Sequence, residues 1–235
     1  IYTNTTIAAG TYNSCAILEN QSMVCWGDNE YGQLGDGTTD GSVVPIYVNV
    51  AANETPVEVT VGQVTACALM ESGNIYCWGS GYYGKMGNGE PWGDDYVNTE
   101  MRQVLLPEGQ GGQTVSISGG HICTILDNGD VYCWGRGNQG QLGYGGTSNR
   151  NIPTKVNLPG QRSAIAISTG AFMTCAITTD GIGYCWGEND EGQLGNGTTS
   201  SRQMTPAEVL FPSGYTHVSI SAGDDFACAL MDNRK

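Results

Sequence analysis

An internal repeat restricts the possible folds of this chain more than any other feature. One block recurs with a period of about 53 residues. It begins as "GTYNSCAILENQSMVCWGDNEYGQLGDGTT", with two cysteines, Trp-Gly and Gly-Gln-Leu-Gly at fixed places. Periods of this length are typical of solenoids and propellers. The predicted repeats cover approximately residues 7–56, 57–114, 115–164, 165–217 and, as a partial fifth copy, 218–235.

Each repeat is predicted to contain about four short strands. Residues 15–18 and 23–26 are rich in strand formers and flank a turn at residues 19–22, which indicates a hairpin. The Leu between the two glycines of Gly-Gln-Leu-Gly is predicted to be a wedge in the core, as is the Met of the second repeat, where Lys85-Met86 replaces Gln-Leu. A strand such as "PIYVNV" follows, and the next repeat opens with another, "VEVTVG". With 36 glycines and 14% charged residues, the chain is predicted to be an all-β protein, a β-propeller of four-stranded blades. A β-solenoid is the alternative, although its coils are shorter.

Cys-Trp-Gly, a gap, Gly-Gln-Leu-Gly and then a Pro-containing strand resemble the repeats of the regulator of chromosome condensation superfamily. The resemblance covers nearly the whole chain. It implies a propeller of seven blades closed into a ring, of which this sequence holds four full repeats and a partial fifth. The family includes a nuclear exchange factor for a small GTPase, but no basic tail is present here. Other members of the family resemble secreted binding modules, among them a bacterial propeller that inhibits β-lactamases. The cysteine-rich form with Cys-Trp-Gly is most similar to repeats of secreted or surface proteins.

Eight of the nine cysteines form pairs that are ten residues apart: Cys15 and Cys25, Cys67 and Cys77, Cys123 and Cys133, Cys175 and Cys185. Residues at this spacing face each other across a hairpin whose turn lies midway, so one disulfide per blade is predicted. Reduced core cysteines remain an alternative, and structural zinc fits poorly because its paired ligands are usually closer in sequence. Four disulfides would place the protein in an oxidising compartment, outside the cell or on its surface.

By the same spacing, the partner of Cys228 would stand three residues beyond Lys235. An interrupted hairpin leaves an unpaired edge and an odd thiol. We therefore expect the chain to be part of something longer, which the absence of an initiator Met also suggests. The alternative is that a second copy supplies the missing strand in a head-to-tail assembly.

The composition limits the partners that this chain could have. Its net charge of −14 opposes nucleic acid and anionic lipid, and we interpret the acidity as serving solubility or a salty environment. No window approaches 18 apolar residues and no signal peptide opens the sequence, so direct membrane insertion is not expected. A protein or a surface glycan is the expected partner.

Catalytic motifs are absent from the sequence, and we predict that the protein is not an enzyme. His121 and His217 lack a nucleophile or carboxylate at a recognisable spacing and are interpreted as structural. No cofactor or metal site is predicted. Calcium remains an alternative, because several aspartates cluster near loops, but their spacing lacks a regular calcium loop and turn chemistry explains them equally well. These residues are Asp28, Asp36, Asp40, Asp94 and Asp95.

One non-repeated segment, "EPWGDDYVNTEMRQ", lengthens the second repeat. Its aromatic and acidic residues Trp92, Asp94, Asp95 and Tyr96 are the predicted contact surface, with an idiosyncratic loop as the alternative. Glycosylation sequons at Asn4, Asn20, Asn53 and Asn196 permit modification without establishing it.

The sequence therefore favours a non-catalytic extracellular module for binding, adhesion or structure. Two alternatives are a subunit of a head-to-tail assembly or filament completed by strand pairing between copies, and a protein inhibitor of an enzyme.

Overall fold

The computed structural model describes residues 6–91, 96–211 and 215–232, and it is an all-β propeller arc. Four antiparallel sheets of four strands each follow one another along the chain, and a two-stranded sheet comes last. The strands of the first two blades are β1 Ile7–Ala9, β2 Asn13–Ile17, β3 Met23–Gly27, β4 Ser42–Tyr47, β5 Pro56–Val61, β6 Thr65–Met70, β7 Ile75–Ser80 and β8 Val97–Gln103. Those of the remaining blades are β9 Gly112–Ile117, β10 His121–Leu126, β11 Val131–Gly135, β12 Arg150–Lys155, β13 Ala164–Thr169, β14 Met173–Thr178, β15 Gly183–Glu188, β16 Arg202–Glu208, β17 Thr216–Ala222 and β18 Ala227–Asp232.

The central hairpin of each blade has the predicted register. Cys15 lies opposite Cys25 across β2 and β3, and the same pairing recurs in the next three blades. The turn is closed by the N–H of Leu18, which donates to the carbonyl of Ser22 at 2.8 Å. The prediction of four-stranded propeller blades is confirmed.

The blades begin a few residues before the repeat boundaries drawn from sequence. Their first strands start at Pro56, Gly112, Ala164 and Thr216. In each of these strands a bulge near the start shifts the register, so the ladder extends further toward the N-terminus than the hydrophobic pattern alone shows.

The hydrophobic core lies between blades. The cluster between blades one and two combines Ile17, Met23 and Leu34 with Val59 and Trp78, and the two following interfaces repeat this composition. The predicted wedge residues are all buried, at 0–2% exposure: Leu34, Met86, Leu142 and Leu194. Since each blade packs mainly against its neighbours, the arc behaves as a stack of nearest-neighbour interfaces.

A repeated tryptophan bonds each blade to the one before it. Trp78 Nε1 donates to the backbone carbonyl of Gln33 at 2.9 Å, and Trp134 and Trp186 donate to the carbonyls of Lys85 and Gln141 in the same way. The three indoles are completely buried. The repetition of these tryptophans is therefore explained by packing and by one hydrogen bond across each interface.

Helical structure in the described part of the chain is limited to two three-residue 3-10 segments, Tyr82–Gly84 and Pro159–Gln161. No helix there has the length and apolarity needed to cross a bilayer.

Candidate functional site

The four predicted disulfides are formed. Each joins the two strands of a central hairpin with a Cα–Cα distance of 4.1 Å, and all eight cysteines are 0–1% exposed. Cys228 is exposed and carries a free thiol on β18. The buried bonds brace the first four blades, whose cysteines are all paired.

Both histidines are buried and structural in their contacts. His121 Nε2 lies 2.7 Å from Thr174 Oγ1, and His217 Nδ1 lies 2.9 Å from the carbonyl of Gly181. The second ring nitrogen of each has no hydrogen-bond partner among the described residues. Burial, assisted by the charge of Arg136, lowers the pKa of His121 to about 3, so its ring is neutral at physiological pH.

The acidic loop residues are engaged in turns. Asp36 accepts hydrogen bonds from the backbone N–H and the hydroxyl of Thr38, and Asp28 accepts one from Gln33 Nε2 at 2.8 Å. Within the described ranges, no group of three or more His, Cys, Asp or Glu side chains could hold a metal. Asp94 and Asp95 lie outside the described residues, and calcium stays an untested alternative.

The predicted contact surface is described only at Tyr96, because Trp92, Asp94 and Asp95 lie outside the described residues. The Tyr96 ring packs on the backbone of Gly81, where an added Cβ would stand 2.1 Å from it, and its hydroxyl bonds to Glu90. Tyr96 therefore supports the loop that begins at Gly81. Of the sequon residues, Asn20 and Asn53 are exposed, Asn196 is half-buried and Asn4 lies outside the described part.

A cavity of about 470 Å³ opens on one face of the propeller and draws its walls from all four complete blades. We call it the interblade cavity. The cavity lies where the turns that join the first and second strands of a blade meet the loops that follow the third strands. The wall consists of Tyr31, Gln63, Val64, Ser80, Tyr82, Tyr83, Lys85, Gly119, Gly120, Arg136, Ala171 and Phe172. Its size is that of small-molecule sites and of pockets that receive one or two side chains of a partner.

Lys85 is the most unusual residue of this wall. It takes the place of glutamine in the Gly-Gln-Leu-Gly segment, and its wedge neighbour Met86 anchors the loop in the core. The Lys85 side chain is 3% exposed, and burial alone lowers its pKa to about 8. The two ion pairs seen in the described ranges, Lys155–Asp130 and Arg162–Asp180, do not involve it. The cavity wall thus includes a buried lysine that has no carboxylate within ion-pair distance among the described residues.

Arg136 adds a second cation. It follows Cys-Trp-Gly in the third blade, and its N–H donates to the carbonyl of Gly120 at 2.9 Å. The guanidinium carbon stands 5.2 Å from the ring centroid of Tyr83 and 4.8 Å from that of Phe172. Gly120 makes room for this side chain, since a Cβ there would lie 3.0 Å from Arg136. Stacking between two aromatic rings holds the cation in place.

Tyr83 adopts a backbone conformation that is costly for its residue type. Its φ is 66°, while Tyr31, Gln139 and Glu191 at the same place of the other repeats are not in the left-handed region. Such a conformation at a non-glycine residue costs on the order of 1 kcal/mol and is concentrated at functional sites. Here it accompanies a ring placed against Arg136.

Sequence reasoning noted the Lys85 substitution but did not identify this cavity. The signal lay in departures from the repeat: Lys85 replaces Gln, and Arg136 stands where the other blades have Asp28, Ser80 and Glu188. Comparing the repeats position by position could have found both cations. Their convergence from different blades required the structure.

Two sequence profiles, each described as regulator of chromosome condensation (RCC1) repeat, match the chain. One covers residues 24–69, 128–177 and 180–230, and the other covers 5–33, 57–85, 113–141 and 164–193. The chain belongs to the RCC1 repeat family. The expectation drawn from Cys-Trp-Gly and Gly-Gln-Leu-Gly is confirmed.

Among similar RCC1-family relatives, the human E3 ubiquitin-protein ligase HERC2 is 32% identical over 229 residues, 96% of this chain but 5% of HERC2. The Arabidopsis thaliana ultraviolet-B receptor UVR8 is 32% identical over 217 residues, 92% of this chain and 48% of UVR8. The chain spans about half the length of UVR8 and a small part of HERC2.

Similar solved structures establish the same fold. Prp20p of Saccharomyces cerevisiae, described with its binding properties to Gsp1p and histones, aligns with a TM-score of 0.83 at 19% identity, over 96% of this chain and 55% of its own. The ectodomain of the Physcomitrella patens receptor kinase CR4 aligns with a TM-score of 0.59 at 18% identity, over 97% of this chain and 50% of its own.

Proposed function

We propose that this chain is a non-catalytic binding module that engages a protein partner through the face bearing the interblade cavity. The observation that carries the proposal is the cavity itself, where a buried Lys85 and a stacked Arg136 lie among aromatic side chains. Aromatic residues and arginine dominate the binding energy of protein interfaces. The buried residues between blades, in contrast, form clusters of similar composition at each interface.

The scaffold suits this role. Buried disulfides and interblade tryptophans fix the blades, so the loops at the cavity are held by rigid elements and lose little entropy on binding. The family relationship adds support, because a member such as Prp20p is described as binding other proteins. Inhibition of an enzyme would use the same face and differ only in its target.

We further propose that the protein acts outside the cell or at its surface. Four fully buried disulfides are the support, since such bonds persist in oxidising compartments. Intact mass of unreduced material from the natural source, with and without alkylation, tests this. Eight cysteines that alkylate without prior reduction would contradict it.

The binding proposal is tested by panning a random peptide library on the wild-type protein. Each selected peptide is then titrated against a face variant, Tyr83→Ser with Phe172→Ser, and against an edge variant, Val43→Ser, since Val43 is 99% exposed on β4. We expect the face variant to weaken binding about tenfold or more and the edge variant to leave it unchanged. Peptides that bind the face variant as tightly as they bind the wild type would overturn the proposal.

We propose head-to-tail assembly as the second candidate function, in which the contacts between blades continue from one copy to the next. Trp26 is half-buried, and no acceptor for its indole N–H is found in the described residues, whereas the three later tryptophans are buried in the preceding blade. An equivalent socket beside Gly195 and Val209 is an open cavity of about 160 Å³. In the described part of the chain, β18 pairs with β17 alone.

Sedimentation of the protein at several concentrations, as wild type and as Trp26→Ser, tests assembly. A particle that grows with concentration for the wild type but not for Trp26→Ser would support strand pairing and burial of the indole between copies. A single species of one chain at all concentrations would reject it.

A further inference from the structure

The interblade cavity has an uncompensated positive charge. Lys85 is 3% exposed and lines the cavity, and no hydrogen bond from its ammonium group is found among the described residues. No carboxylate of the described residues lies within ion-pair distance of it. A desolvated cation at the wall of a cavity is suited to an anion supplied from outside.

Arg136 belongs to the same charge pattern. Its ring partners Tyr83 and Phe172 hold the guanidinium, and its Nε is engaged by Asn138 Oδ1 at 2.8 Å. No ion pair to Arg136 is formed within residues 6–91, 96–211 and 215–232. The Lys85 ammonium and the planar donor fork of the Arg136 guanidinium are suited to recognising carboxylate or phosphate oxygens.

Two features favour a carboxylate over a phosphate. The chain carries a net charge of −14, which disfavours a multiply charged ligand more than a singly charged one. In addition, Val64, Ala171 and the aromatic rings give the cavity apolar walls, which suit an organic body next to the charged group. We propose that the interblade cavity binds a monocarboxylate carried on an aromatic or aliphatic body, with Lys85 and Arg136 as its counter-charges.

This inference deepens the proposed function and rests on it only in using the same cavity. The carboxylate could belong to the C-terminal residue of a partner protein or to a free organic acid, because the recognised chemistry is the same. N-acetyl-phenylalanine stands in for a peptide C-terminus, and 3-phenylpropionate represents a free acid. Their uncharged amides are the matched controls for the aromatic body.

The experiment is calorimetric titration of each probe into the whole protein at neutral pH. We expect both acids to bind, and the amides to bind at least about tenfold more weakly, because they lack the charge that Lys85 and Arg136 would pair with. Preference for N-acetyl-phenylalanine would indicate a peptide terminus, and preference for 3-phenylpropionate a free acid.

Lys85→Gln is the decisive variant. It restores the residue that the other complete repeats carry at this place, Gln33, Gln141 and Gln193, so the loop is expected to fold. The loss of affinity for the acids should be at least about tenfold, with little change for the amides. Lys155→Gln removes one exposed charge that does not line the cavity and should change affinity less than about twofold. If Lys85→Gln does not fold, Arg136→Ser, which copies Ser80, serves instead.

Proton uptake gives a second readout. A bound carboxylate favours the charged form of Lys85, so binding near pH 8 should take up a fraction of a proton, seen as a dependence of the enthalpy on buffer. The phenols of Tyr31, Tyr82 and Tyr83 and the Arg136 guanidinium also face the cavity, so the loss of the uptake in Lys85→Gln identifies the group.

Several results would overturn the proposal: equal affinities for acids and amides, unchanged affinity in Lys85→Gln, or no binding of either acid at about 10 mM. Because these titrations need no protein partner, they can fail while the selected peptides still bind the face. A failure of peptide binding would likewise leave the carboxylate result standing.

Discussion

At the scale of single residues, the wall of the interblade cavity includes a residue, Lys85, that lowers the stability of the folded protein. The lowered pKa of Lys85 means that its charged form is less stable in the folded protein than in the unfolded chain. His121 is equally buried but neutral, so it carries no such cost at neutral pH. Local conflicts of this kind are expected at functional positions.

Lys85→Gln should raise the free energy of unfolding at pH 7. The pKa falls from 10.5 to about 8 in the folded state, which corresponds to about 3 kcal/mol as an upper figure. The cost is fully present below pH 8 and disappears above pH 10.5, because the unfolded chain binds the proton more tightly between these values. Urea unfolding of both proteins at pH 7 and pH 10 measures the difference. A variant less stable than wild type at pH 7 would contradict the buried charge.

His121→Asn, which copies Asn13 of the first blade, should make the protein less sensitive to acid. In the wild type, the unfolded chain binds a proton below about pH 6.5 but the folded protein does not until the pKa of about 3. Stability is therefore lost as pH falls through this window, by up to about 5 kcal/mol. Unfolding curves from pH 7 to pH 4 test this, and parallel losses in both proteins would contradict it.

At the scale of elements, the blade is a disulfide-bonded hairpin with one added strand on each side. The ladder pairs Cys67 with Cys77 at the centre, and the following loop presents Leu or Met to the next blade. The indole of that next blade then bonds the loop carbonyl. Each repeat thus completes the interface that its predecessor begins.

Trp78→Phe should destabilise the protein by about 1–3 kcal/mol, because the buried carbonyl of Gln33 loses its donor. Trp26→Phe is the matched control, since its indole lies at a position without a preceding blade in the described residues, and its effect should stay within about 0.5 kcal/mol. Chemical unfolding monitored by circular dichroism compares the two. Equal effects would contradict the role given to the interblade hydrogen bond.

The elements could be predicted from sequence because they repeat. The spacing of Cys15 and Cys25 predicted the hairpin register, and the glycines around Leu34 predicted a buried wedge. The cavity could not be predicted in the same way. Tyr83, Lys85, Arg136 and Phe172 belong to three different blades, and their proximity depends on the angle between blades, which no local pattern encodes. Of the predicted contact surface, the structure describes only Tyr96, whose ring packs against the loop that begins at Gly81.

At the scale of the whole molecule, the residues that pack the blades together differ from the residues proposed to bind a partner. Its interiors repeat from blade to blade, whereas the residues at the interblade cavity differ between blades. A rigid scaffold with variable loops on one face is a common arrangement for binding proteins.

The most direct test of the face as the binding surface is hydrogen exchange of the protein with and without its tightest library-selected peptide, followed by mass spectrometry. The account predicts slower exchange in the loops around Tyr83, Gly120, Arg136 and Phe172, and unchanged exchange in β4 and β18. Protection confined to β18 or to the first blade, with the cavity loops unaffected, would contradict it.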